Sequence, residues 1–425
     1  MTGLLLKGTV TAAQLRQRLL LLRFINYIGV QLCALLVPLL VYKLTNNLGL
    51  AGLAILVEWA PKLLLYCGGG ALIQCLSAKR VHVGLEVLRI TALLVLLATV
   101  LGYGNLWMVA LAAASYQASN ALANVLFEVN VTHHWPASSR TRAYTTFFRN
   151  DHLACVSALT LSMVISTPLI IVLVALFIQS SNLALVLMST KHLYAHKPEV
   201  MSPTTAHQHL AMRYMRQLKT DIRHVCQPRL LGLSLSVTLL GIPGAMLFSA
   251  PVFYLHEAQS HIPNITALLS VVLLLKNILG ASVLSYVNHA LARGQNDRHL
   301  ALSGMTGLLI CVAMAAVPSA LLPAIIAMLG VGLFATMYIP WLRKNRQDLL
   351  SELVPESSRP GVTGMLISVE ASSYLLAGGV LALSGTGHIG VALCAAGALA
   401  VLGAIMIGVQ TREPQTMCIL QQPPK

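Results

Sequence analysis

Glu58, Lys62, Asp151, Lys276 and Glu370 stand inside stretches otherwise apolar enough for the interior of a bilayer. An ionisable side chain there is costly and marks a functional site by default. Glu58 and Lys62 are one helical turn apart with the acid on the N-terminal side, so they can pair along one face that Tyr66 continues. Lys276 has no carboxylate one turn away and needs a partner from another helix, water or a bound anion. Asp151 and Glu370 are of the type that carries protons, because desolvation can bring a carboxyl toward neutrality. Glu370, with Ser373 and Tyr374 on its face, is the better placed, whereas Asp151 has Arg149 nearby as an alternative partner. Gln117, Asn120, Asn124 and Glu128 fall within an arc of about 80° if their stretch is helical, at ~100° per residue. A polar stripe that narrow faces a water-filled path or other helices, since lipid would leave it unsatisfied. Asn26 and Gln31 are too far apart on the same reckoning to support a lining role strongly.

No arrangement for catalysis competes with these residues. The chain has no G-x-x-x-x-G-K-[ST] loop, no H-E-x-x-H and no C-x-x-C. The eight cysteines lie mostly in apolar runs, where a thiol acts as a small hydrophobe, and the fourteen histidines read as surface residues. Neither a metal site nor a cofactor is expected, and the chain is not read as an enzyme.

The elements that must position the candidates are long helices. The sequence is 56% hydrophobic and 10% charged, with a mean hydropathy of +0.75, far from a soluble domain. A span takes roughly 20 apolar residues. Spans are placed at 23–43, 49–74, 84–101, 106–128, 145–166, 169–190, 230–254, 262–290, 300–317, 320–341, 361–384 and 388–410. The only break between the fifth and sixth is Ser166-Thr167-Pro168, and Thr11 to Gln14 reads as a capping box ahead of the first. No signal peptide is apparent. The net charge of +15 suggests nucleic acid in a soluble protein, but its distribution speaks for topology instead. Of the 28 Lys and Arg, all but Lys43, Lys62 and Lys276 lie at the N-terminus, in or beside alternate loops, in a central interval, or after the last span. The positive-inside rule then places both termini in the cytoplasm.

That central interval, 191–229, divides the chain into bundles at 1–190 and 230–410, with a tail at 411–425. Within it Leu210, Tyr214, Leu218 and Ile222 recur every four residues among cations. The pattern fits a helix on the membrane surface or a solvated linker helix. The two bundles repeat one another: Pro136-Ala-Ser-Ser-Arg140 returns as Pro355-Glu-Ser-Ser-Arg359 and Asp151 as Glu370, both 219 residues on. Pro38, ahead of Tyr42, returns as Pro251, ahead of Tyr254, and Lys62 returns as Lys276, the Pro and Lys pairs at offsets of 213 and 214. A parallel repeat of two bundles is a transporter architecture.

Three passages resemble the major facilitator superfamily, in its bacterial branch of siderophore and drug exporters (enterobactin-exporter-like). Arg23-Phe24-Ile25 with Val37 to Thr45 looks like that branch's first helix. Gly69-Gly70-Ala71-Leu72, Lys79-Arg80-Val81 and Leu88-Arg89 look like the loop between helices two and three. Val354 to Gly361 looks like the Pro-Glu-x-x-Arg-Gly start of helix eleven. The chain departs from the pattern at Gln74-Cys75, where the family's loop carries an Asp and an Arg, and in lacking Gly-Pro-x-x-x-Gly-Gly in helix five. The resemblance implies proton antiport, with Gly70, Lys79, Arg80 and Arg89 at a cytoplasmic gate between the halves.

The expectation is an all-α polytopic protein of twelve spans in two six-helix bundles, multi-pass in a bacterial inner membrane. It acts as a proton-coupled exporter of a siderophore or other anionic small molecule. Lys62, Lys276, Glu58, Gln117, Asn120 and Asn124 bind substrate, and Glu370, Asp151 and Glu128 couple protons. Its partners are the substrate, protons and the lipid bilayer, with no nucleic acid, and it works as a monomer. The alternatives are a broad-specificity drug exporter, or a membrane sensor or scaffold that no longer transports.

Overall fold

The computed structural model describes residues 12–45, 48–76, 78–165, 167–188, 210–258, 265–315, 321–384 and 389–410. The capping box at Thr11, most of the polar interval before Leu210 and the C-terminal tail lie outside them. The described residues form thirteen α-helices and one 3-10 turn. Before the central interval come α1 (Ala12–Thr45), α2 (Leu48–Cys75), α3 (Ala78–Val100), α4 (Leu106–His134), α5 (Arg140–Val164) and α6 (Pro168–Met188). Helix α7 (Leu210–Val225) belongs to the interval. After it come α8 (Pro228–Ala258), α9 (Ile265–Ala292), α10 (Asp297–Ala315), α11 (Leu321–Leu353), α12 (Arg359–Ser384) and α13 (Ile389–Gln410). Among the described residues, α1, α3, α6 and the Val271–Ala292 part of α9 are long and apolar enough to cross a membrane.

Local chemistry sets the helix ends. Asn105 caps α4 by accepting from the Met108 N–H at 3.0 Å. Gly102 after α3 and Gly294 after α9 have φ of +93° and +81°, the left-handed conformation that ends a helix and that glycine adopts without strain.

The repeat is visible as a repeated bond. Arg140, at the start of α5, donates to the Thr132 carbonyl eight residues back at the end of α4 (3.3 Å). Arg359, at the start of α12, donates to the Ser351 carbonyl eight residues back at the end of α11 (3.1 Å). Each arginine ties two consecutive helices by satisfying a carbonyl of a helix's last turns, which have no intrahelical donor.

The two halves meet along two seams, α2 on α12 and α5 on α9. Ile367 and Ala371 of α12 belong to the apolar core of the first half, packed with residues such as Tyr66, Leu122 and Leu126. The tightest approach is glycine on backbone: a Cβ on Gly70 of α2 would run into the Pro360 carbonyl and Gly361 of α12, and one on Gly364 into the Tyr66 carbonyl.

Helix α7 corrects both expectations for the linker. It bends by 80° from α8 and docks on the protein itself, beneath the ends of α2 and α12. Tyr214 sits against Gly68 of α2, Asp221 against Gly361 of α12, and Leu218 and Val225 pack with Leu230, Leu350 and Val362. Tyr214, Leu218, Asp221 and Val225 share one face, whereas Ile222, which the four-residue spacing counted with them, is exposed. The period is 3.6 rather than 4, so the apolar spacing drifts off the docked face.

Candidate functional site

The charged residues predicted from the sequence meet at the seams, with arginines that were not singled out for chemistry. Arg23 of α1 grips Asp151 of α5 with both forks of its guanidinium, Nε to Oδ1 at 2.8 Å and Nη2 to Oδ2 at 2.6 Å. Its plane lies over Phe127 and Phe147. The partner of Asp151 is therefore Arg23, from a different helix, and not Arg149. A bidentate pair of this kind is among the strongest side-chain hydrogen-bond arrangements.

In the second half, Arg346 of α11 donates from Nη1 to both oxygens of Glu370 at 2.8 Å. Asp151 and Glu370, equivalent in the repeat, are thus each held by an arginine of the same half. Glu128 of α4 joins the halves. It accepts from Tyr144 at 2.7 Å within the first half, and from Arg343 at 3.1 Å and Gln347 at 3.2 Å of α11, with Arg346 Nη2 also 3.2 Å away. Arg343 stands 3.4 Å from Glu370 as well, so Glu128 and Glu370 share two guanidinium groups. Nearer the helix ends, Arg140 donates to Asp348 at 3.2 Å and Thr141 to Asp297 at 3.3 Å, again across the halves. Together with Gly70 on Pro360 and α7 below, these contacts hold the halves together at the end that carries the linker.

Deeper along the seam an aromatic layer begins. Trp59 of α2 stacks on Tyr374 of α12, with ring centroids 4.0 Å apart and planes 9° from parallel. The Lys62 ammonium lies 3.9 Å from the Trp59 ring centroid, a cation–π distance. Asn124 donates from its side-chain amide to the Tyr66 phenol oxygen at 3.0 Å. Tyr374 is within electrostatic reach of Tyr27, Tyr66 and Arg343. The side chain of Glu58 lies outside the described residues.

The polar stripe of α4 divides. Asn124 and Glu128 bond to other helices; Gln117 and Asn120 are buried, and the Asn120 carbonyl oxygen accepts no hydrogen bond. Lys276 lies where α9 meets α11 and α5, its stem against Gly332 and its charge near Cys155 and His152. No described contact joins Lys62 to Lys276.

The expected gate residues also separate. Gly70 lies on the seam. Lys79 donates to the Leu187 carbonyl at the end of α6, within its own half, and Arg80 is exposed. Arg89 corrects the expectation most sharply: it is fully buried among α1, α3 and α4 of the first half, bonded to Glu86, Asn26 and Ser119. Its ion pair with Glu86, flanked by His82, neutralises charge inside the bundle rather than across the gate. The side chains of Gln74 and Cys75 lie outside the described residues.

A carboxylate does stand at the start of α12, and it comes from α7. Asp221 is buried against Gly361 and bonds to Gln217 at 2.8 Å, while Gln217 reaches Ser358 at 3.3 Å. Burial pushes the Asp221 carboxyl up to about 7. Sequence reasoning missed Arg343, Arg346, Gln347 and Asp221. The repeat offset was a usable signal for two of them, because Gln347 and Arg343 stand 219 residues after Glu128 and Asn124. His82 and His152 also correct the surface reading of the histidines, since the first is buried and the second lies in the α5–α9 seam.

No protein-family model matches the sequence, and no curated protein matches it. Solved structures do. A bacterial homologue of the iron transporter ferroportin, in an outward-facing state, is 17% identical with a TM-score of 0.70, covering 93% of this chain and 99% of that one. The human organic anion transporter MFSD10 (TETRAN) is 13% identical with a TM-score of 0.70, covering 92% and 99%. The proton:xylose symporter XylE is 13% identical with a TM-score of 0.70, covering 93% and 96%. Likeness over nearly the whole of each chain shows that this one has the all-α major facilitator fold.

Proposed function

We propose that the chain is a secondary transporter that moves an anionic small molecule, such as a siderophore, out across a bacterial cytoplasmic membrane by alternating access. The observation that carries the reading is the charge gathered where the halves meet. Arg23, Lys62, Lys276, Arg343 and Arg346 stand there against Asp151, Glu128 and Glu370, and remain in excess when Glu58 is counted. When the Arg343–Glu128 contacts break, guanidinium groups are left facing the space between the halves, where a dehydrated positive surface favours an anion. Lys62, Lys276 and the amides of Gln117, Asn120 and Asn124 then supply further contacts, and the bundles rock about this site. Fold analogy with an organic anion transporter and with proton symporters supports the class of cargo and the coupling ion, as analogy only. Asp151 and Glu370 exchange protons once their arginines withdraw. Both termini and α7 lie in the cytoplasm, and one chain suffices for transport.

The Trp59–Tyr374 stack favours a second reading, a drug exporter with a broad aromatic site. Transport in proteoliposomes, with and without an imposed pH gradient, separates the two when anionic chelators and cationic dyes are compared. Gradient-driven movement of an anion, lost in Lys276→Ala while neutral and cationic compounds still move, supports the first reading. Equal movement of dyes and chelators supports the second, and no flux of any compound would favour a sensor that keeps the fold.

A further inference from the structure

The carboxylates Asp151, Glu128 and Glu370 are all bonded to arginine when this end is closed. An imidazole also stands where the halves meet. His152 of α5 lies 2.9 Å through Nδ1 from Oδ1 of Asn277 on α9, across the halves. The network fixes which nitrogen carries the proton. Asn277 donates its amide nitrogen to the Leu273 carbonyl at 2.8 Å, so its oxygen is the atom turned to the ring. An amide oxygen only accepts, so Nδ1 bears the hydrogen, and Nε2 is the nitrogen left to take a second proton. The ring is seated on Gly280, where a Cβ would come within 2.8 Å of it, so α5 and α9 close directly on the imidazole.

The charged groups facing it are few. Lys276 reaches it from α9 and Asp151 from its own helix, Asp151 being already committed to Arg23 of α1; Cys155 is the neighbouring thiol. Protonation at Nε2 leaves the Asn277 bond intact, since Nδ1–H donates in either state. What changes is that a second positive charge appears beside Lys276 in a closed, dehydrated seam.

We infer that His152 is the proton-binding residue that releases this closed end: its protonation at Nε2 sets an imidazolium against Lys276 and drives α5 away from α9. The inference rests on the transporter reading. A proton arriving from the far side then favours opening toward the linker side, which is the order a proton-driven exporter requires.

The test needs no substrate, so it is independent of flux. Spin-label amino acids replace the exposed residues Arg142 on α5 and His289 on α9 of the full chain in nanodiscs, and their separation is measured from pH 8 to pH 5.5. The wild-type chain is expected to shift to the longer distance as pH falls, by no more than about tenfold in population per pH unit, the limit for one proton. His152→Gln keeps a donor for Asn277 but cannot titrate, and is expected to stay at the short distance throughout; His152→Asn serves if that variant does not fold. Asn277→Ala is expected to loosen the seam at every pH and keep the response. A pH-independent wild-type distance, or a His152→Gln chain that responds as the wild type does, overturns the inference. Absence of flux in proteoliposomes with the pH response intact would overturn the transporter reading alone.

Discussion

Gln347 donates its amide to Glu128 at 3.2 Å, and the two residues occupy the same position in the two repeats, 219 residues apart. The pseudo-symmetry axis therefore passes through a hydrogen bond between equivalent helices, α4 and α11. Duplication would place two like residues face to face there. Two glutamates would repel, and the Glu–Gln pair with Arg343 and Arg346 beside it turns that contact into an attachment.

Glu128→Gln removes the negative charge, and one of the two acceptor oxygens, that Arg343, Arg346 and Gln347 share. Two guanidinium groups are then left to the single carboxylate of Glu370, and breaking buried ion pairs in this way costs about 3–5 kcal/mol, so the closed arrangement should lose a hundredfold or more in population. Distance measurements between labels on α4 and α11 would show the halves apart; an unchanged distance would mean the apolar seam suffices.

Gly70→Ala should keep the fold yet prevent closure, because the added methyl group meets the Pro360 carbonyl, which is backbone and cannot swing aside. The expected result is transport lowered by at least tenfold with helix content unchanged by circular dichroism. Gly84→Ala, where a Cβ meets nothing, is the neutral control.

Docking of α7 should weaken as pH rises. The Asp221 carboxyl titrates near 7 when docked and near 3.8 when solvated, because burial disfavours its charged form. Between those values the docked helix holds one more proton than the undocked one, so docking is strongest below about pH 4, declines toward pH 7 and is constant above it. Labels on α7 and α2 should separate across that window in the wild type and stay together in Asp221→Asn, which keeps the shape without the charge.

Arg23→Gln alone should cost about 3–5 kcal/mol of stability by leaving Asp151 buried and unpaired. Arg23→Gln with Asp151→Asn should recover much of it. Thermal unfolding in detergent of the two single variants and the double variant measures the coupling. Additive losses would show that the pair contributes nothing of its own.

Periodicity and composition were enough for the long helices, their order and the repeat, since burial in a bilayer demands long apolar runs that local sequence must carry. The resemblance of Val354 to Gly361 to a major facilitator passage led to the same fold that the solved structures share with this chain. The chemistry was less legible. Asp151 and Glu370 were identifiable as buried carboxylates, but Arg23 and Arg346, their partners, stand 128 and 24 residues away, a relation no spacing rule expresses. Arg89 illustrates the opposite failure. A cation near a loop reads as a gate residue, yet its azimuth on α3 turns it into its own bundle, where Glu86 and Asn26 hold it.

What the sequence determined by itself is whatever depends on one helix at a time: which stretches are apolar enough to be buried, where they end, which ionisable groups they carry, and that one half repeats the other. Tertiary structure alone decided which charges meet, that α7 lies under the closed end with Asp221 at the start of α12, and that His152 faces Asn277 across the seam. The physical reason is that these contacts depend on the rotation and sliding of helices against one another. Packing over the whole interface sets those quantities, and no short stretch of residues encodes them.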